Sequence, residues 1–111
     1  MNSKKFKMIS SNKEIELIFK NGKHFSGKYL KFIYLKDLEK QNYFQLLISI
    51  PKKKIKLAVN RNKIKRRIKA FYYLRKNIKD SSLSVIILYK YFKPVKYIKL
   101  EKDLLQFENL N

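Results

Sequence analysis

Residues 58–69 read AVNRNKIKRRIK. The chain holds 24 Lys and only 4 Arg, and three of the four, Arg61, Arg66 and Arg67, fall in this stretch around Asn62. A lysine ammonium is a point charge on a long stem. The planar guanidinium of arginine offers paired donors that grip phosphate oxygens, and it can stack on a base. An asparagine amide both donates and accepts, so it can read a base edge or a 2′-hydroxyl. Together these side chains suit fixed contacts to a structured nucleic acid. Bond-breaking chemistry has no comparable set. There is one histidine, His24, and no cysteine, and the eight acids are scattered singly or in solvated helix and loop settings. A protein-borne two-metal site would need clustered carboxylates. No catalytic residue and no metal ligand is assigned, and His24, at a predicted strand start, reads as an ordinary surface residue.

The spacing predicts a helix over 57–78 to carry this stretch. At 100° per residue, Leu57, Ile64, Ile68, Phe71 and Ile78 share one side, and Asn62, Lys65, Arg66, Lys69 and Tyr73 the other. Arg61, Lys63 and Arg67 fall on the flanks. No acid occurs from 51 to 79. No i,i+4 pair therefore relieves the repulsion along this face, as an ordinary solvated charge run would allow. Across the chain, 28 Lys and Arg stand against 8 acids, a net charge of +20 on 111 residues. That much like charge strains a compact state unless a polyanion binds it. The chain is also rich in Ile, Lys and Asn, which inflates the lysine count without removing the imbalance.

The remaining elements follow from pattern. Residues 11–21 predict a first helix with Ser11 as cap, Glu14 completing a capping box, and Ile15, Ile18 and Phe19 on one face. Residues 24–36 predict one or two strands, interrupted near Gly27. Residues 37–42 predict a polar turn, 43–50 a strand closed by Pro51, and 83–90 a strand buried on both faces, after a turn at 80–82. Pro94 is placed in the first turn of a last helix. That helix is lined by Tyr97, Leu100, Leu104 and Phe107, with Ile98 and Leu105 widening the apolar face. Residues 1–10 are expected to be loose or extended. The order α-β-β-β-α-β-α predicts a single domain over 1–111, an α/β (α+β) two-layer sandwich in which helices pack on a small mixed sheet of about four strands. No apolar run approaches the roughly 20 residues of a membrane span, and the N-terminus lacks a secretory stretch, so the cytoplasm is the expected location.

At AVNRNKIKRRIKAF the sequence resembles the protein subunit of bacterial ribonuclease P, matching that family's basic helix at Ala58, Val59, Arg61, Asn62, Lys65 and Arg66. Lys63 stands where the family has a third member of its Arg-Asn-Arg core, and Lys56 or a neighbour stands where the family has a glycine. EIELIFKNGKHFS and LSVIILYK resemble the family's first helix and last strand, and the resemblance covers about residues 9–107. It implies a left-handed crossover through the basic helix. It also implies a non-catalytic protein in a ribonucleoprotein endonuclease that removes the 5′ leader from precursor tRNA, with catalysis and Mg²⁺ residing on the RNA.

Two surfaces are implied. Lys52, Lys53, Lys54, Lys56, Arg61, Asn62, Lys63, Lys65, Arg66, Arg67 and Lys69 would hold the catalytic RNA through steeply salt-dependent phosphate contacts. A groove between the first helix and the sheet would hold the single-stranded leader, with Ile15, Phe19, Tyr29, Phe32, Tyr34 and Lys90 as candidates. For each aromatic, core packing is the alternative, and strand register decides. The expected assembly is one protein monomer per RNA, with no membrane partner. A ribosomal or ribosome-associated RNA-binding protein is the nearest rival reading. A peripheral membrane binder is disfavoured because the helix lacks Trp and its apolar side is needed for the core. A self-sufficient protein nuclease lacks the residues.

Overall fold

In the computed structural model, residues 6–36, 44–74 and 83–110 are described. The elements are β1 (Phe6–Met8), α1 (Asn12–Asn21), β2 (Lys23–Ser26), β3 (Leu30–Lys36), β4 (Phe44–Ser49), α2 (Ala58–Leu74), β5 (Leu83–Tyr89) and α3 (Tyr97–Glu108). They form a five-stranded mixed sheet in the order β1-β4-β5-β3-β2. β5 lies at its centre, parallel to β4 and antiparallel to β3. β1 adds parallel to β4, and β2 closes the other edge antiparallel to β3. The crossover through α2 thus joins neighbouring parallel strands.

The predicted α/β architecture is present, with corrections. The sheet has five strands rather than about four, because residues 6–8, within a segment expected to be loose or extended, pair with 44–46. Helices cover both faces, so there are three layers rather than two. On one face, Ile18 of α1 packs with Ile9, Ile33 and Ile86. On the other, Ile64, Ile68, Phe71 and Tyr72 of α2 and Leu100, Leu104 and Phe107 of α3 share a core with Leu30, Phe32, Leu46, Val85 and Ile87. Successive strand residues point to opposite faces, which fixes these two sets. The turns expected at 37–42 and 80–82 and the helix continuation 75–78 lie outside the described residues.

Local signals placed α1 well. Ser11 accepts from the Glu14 amide at 3.4 Å, and the Gly22 amide returns to the Ile18 carbonyl at 2.8 Å. α3 begins three residues after Pro94 rather than around it, with Lys96 as its cap residue. Ile98 and Leu105 do not widen its buried side: they are exposed, and the charged Asp103 is buried in their stead. The Asp103 carboxylate accepts from the backbone amides of Lys28 at 3.2 Å, Tyr29 at 2.7 Å and Leu30 at 2.9 Å. It thereby ties α3 to the turn between β2 and β3. A Cβ on Gly27 would stand 2.6 Å from the Asp103 Cγ, so only glycine lets the carboxylate approach.

Tyr89 ends β5 buried, its hydroxyl donating to the Lys93 carbonyl. Burial first, then the neighbouring Tyr29 and Tyr91, push its pKa from 10.0 up to about 12. An unfolded chain releases this proton near pH 10. The native state's advantage is therefore intact below pH 10 and is lost as pH climbs through 12. Tyr89→Phe, measured by thermal melting across that window, is expected to flatten the alkaline loss.

Candidate nucleic-acid interface

α2 is amphipathic because its apolar residues recur at helical spacing. Ile64, Ile68, Phe71 and Tyr72 anchor it on the sheet. The side turned away from them carries Asn62, Lys63, Arg66 and Tyr73, all exposed. Lys65 and Lys69 are half-buried on one flank, while Leu57, expected in the apolar face, precedes the helix and is exposed. Arg67 is half-buried and faces α3, sharing a cleft with Ala70, Leu74, Lys96 and Tyr97. The outer face is cationic through its middle, at Lys63 and Arg66, with no acid in the helix and no basic residue in its last turn.

The residues before α2 are shaped to display lysines. The Pro51 carbonyl accepts from the Lys54 and Ile55 amides at 3.0 and 3.1 Å, making a tight turn. Ile55 alone of this stretch is buried, whereas Lys52, Lys53, Lys54 and Lys56 are exposed. Arg61 closes the structure. Its Nη1 donates to the Ile55 carbonyl at 2.9 Å and the Lys56 carbonyl at 2.8 Å. One reason for arginine here is thus internal: a guanidinium nitrogen with two hydrogens bridges two carbonyls at a fixed angle. Arg61 locks the lysine turn to the helix, while Arg66 stands free of the core on the outer side.

The groove candidates separate. Ile15 is half-buried and Phe19 is 45% exposed on α1. Phe32 is fully buried and Tyr29 nearly so, in the core on the sheet face away from α1. Tyr34 is half-buried against Phe107 on that same far face, ring centroids 5.1 Å apart. Phe32 and Tyr34 cannot line a groove beside α1, because register directs even-numbered β3 residues toward α3, and Tyr29, just before β3, is buried in that same core. Residues facing α1's side are Lys31, Ile33 and Leu35, and on the adjoining strands Leu47, Ser49 and Leu88. Beyond the row covered by Ile18, the half-buried Leu88, Lys31 and Ser49 form an open floor. Lys90 lies at its end, its Nζ donating to the Gly27 carbonyl and, at 3.3 Å, to the Ser26 hydroxyl. The floor was missed because β3 is apolar on both faces. Its one sequence signal was Lys31, a charge inside an otherwise apolar run. His24 is exposed on the edge strand β2.

Residues 3–109 match the family model described as Ribonuclease P. A Ribonuclease P protein component from Rickettsia canadensis is 38% identical over 108 residues, covering 86% of this chain and 89% of the relative. One from Streptococcus agalactiae is 32% identical over 102 residues, covering 92% and 91%. Among solved structures, the Staphylococcus aureus RNase P protein superposes with a TM-score of 0.78 at 25% identity, covering 89% of each chain. The Thermotoga maritima RNase P protein has the same fold, with a TM-score of 0.79 at 21% identity over 95% of this chain and 97% of that one.

Proposed function

Since the chain belongs to the ribonuclease P protein family, and so is a subunit of an RNA-containing endonuclease, we propose that it binds the catalytic RNA through α2 and the 5′ leader of precursor tRNA beside α1. One observation carries the reading: α2 buries Ile64, Ile68, Phe71 and Tyr72 and leaves Asn62, Lys63 and Arg66 in solvent, with no acid in the helix. Such a face gains free energy by releasing counterions from a phosphate backbone. Lys52, Lys53, Lys54 and Lys56 extend it, on a turn that Arg61 holds rigid. Lys65, Lys69 and Arg67 serve from the flanks.

The leader occupies the open floor, with Phe19 and Ile15 on the α1 wall, Leu88 and Lys31 beneath and Lys90 at the end. Exposed aromatic and apolar surface stacks on bases while nearby ammonium groups meet phosphates. Cleavage belongs to the RNA, with Mg²⁺ ions held there. The protein acts as a monomer, one per RNA, in the cytoplasm. No helix among the described residues is long and apolar enough to cross a membrane.

Reconstitution tests the whole: the protein is expected to restore precursor cleavage by the catalytic RNA at low Mg²⁺. No stimulation, with co-purification on ribosomal subunits, would reject it. For the groove, Phe19→Ala is expected to raise KM for leader-bearing precursors about tenfold, as loss of one stacked base predicts. Affinity for the catalytic RNA should hold, and equal losses in both would deny a separate leader site.

A further inference from the structure

Past Lys90, which ends the floor, the chain continues through Tyr91, Phe92 and Lys93, and neither surface described above uses these three residues. Three rings are assembled there. Tyr29 is buried, with its amide fixed on Asp103 at 2.7 Å. Tyr91 meets it edge-on, centroids 5.0 Å apart. Phe92 lies against Tyr91 at 4.6 Å and 37°, and is 66% exposed. Phe92 is thus the outermost member of a row rooted in the core, a large apolar surface held in water.

Its surroundings name the occupant. The Lys93 ammonium stands 5.6 Å over the Phe92 ring and the Lys28 ammonium 5.5 Å over Tyr29. Residues 90–100 contain no acid, and Asp103 beneath them is engaged by backbone amides. An anchored ring with cations on its flank matches a base and its phosphate. A base arriving on Phe92 would displace the Lys93 ammonium from the ring, freeing it for the adjoining phosphate. The corner is also continuous with the open floor: Lys90 follows β5 on the floor side and reaches Ser26 and Gly27, while Tyr91 turns toward Tyr29 on the far side. A single strand leaving the floor past Lys90 would meet this rim.

We propose that Phe92, backed by Tyr91 and flanked by Lys93, is a stacking station for one base of the single-stranded leader, beyond the groove walled by α1. The proposal rests on the leader reading above. Its test uses the reconstituted holoenzyme and precursors carrying 2-aminopurine at successive leader positions. With the native protein, one position is quenched by the ring. Phe92→Ala is expected to abolish quenching at that position and weaken precursor binding about tenfold, while Phe92→Tyr preserves both and assembly with the catalytic RNA is unchanged. The proposal is overturned if no leader position responds, if affinity for the catalytic RNA falls equally, or if the ring proves to govern binding to anionic vesicles instead. Phe19→Ala in the same scan reads the groove separately. A Phe92-dependent position with none that depends on Phe19 would reject the groove and keep the station.

Discussion

Arg66→Ala combined with Lys63→Ala is expected to lower affinity for the catalytic RNA on the order of 100-fold at matched physiological salt. Both side chains are exposed on the outer side of α2, away from Ile64, Ile68 and Phe71. Each charge-assisted phosphate contact contributes about 1.5 kcal/mol, close to a factor of ten. Two contacts removed also release fewer counterions, so the slope of log K against log salt falls by about 1.5 to 2. Filter binding across a salt series measures both quantities, and circular dichroism confirms that the helix persists. Unchanged affinity and slope would remove α2 from the interface. Arg61→Ala is not an equivalent experiment. It deprives the Ile55 and Lys56 carbonyls of their donor, so it loosens the lysine turn as well as subtracting a charge.

Asp103→Ala destabilises the fold by about 4 kcal/mol or more. Hydrogen bonds to a charged acceptor contribute about 1.5–3 kcal/mol each, and a buried donor left alone costs about 1–3 kcal/mol. The substitution strands the amides of Tyr29 and Leu30 inside the protein and frees that of Lys28. Removing a buried carboxylate recovers some desolvation cost, but it supplies no partner for those amides. Against the total stability of about 5–15 kcal/mol typical of a domain, the loss is severe. Urea unfolding measures it. Asp103→Asn keeps one acceptor oxygen and is expected to fall between. A cost under about 1 kcal/mol for Asp103→Ala would show that water satisfies those amides as well as the carboxylate does.

The basic helix was legible because three constraints coincide in it: helical spacing of Ile64, Ile68 and Phe71, a gap in acids, and the clustering of arginine. β3 was legible as a strand but not in register. Leu30, Phe32, Ile33 and Leu35 are apolar on both sides, since helices cover both faces of the sheet, and this erases the alternation that assigns a face. Phe32 and Tyr34 were therefore set in a groove that they cannot reach, and Tyr29, just before β3, is buried in the same core. β1 escaped notice because three residues hold no period and their partners lie 38 positions away. Asp103 escaped because a charge among Leu100, Leu104 and Phe107 reads as the solvated edge of a helix. Its partners are amides 73 to 75 residues earlier, invisible to any local pattern.

The central place of β5 dictates how the nascent chain matures. On the ribosome, the β2–β3 hairpin and the β1–β4 pair emerge as two fragments with no hydrogen bonds to one another, because the strand that joins them is translated last of the five. α2 emerges before that strand, with its oily side uncovered. The basic helix thus exists for some seconds as a sticky polycation, at synthesis rates of about 5–20 residues per second. Only when Leu83–Tyr89 slots between the halves does it acquire its backing.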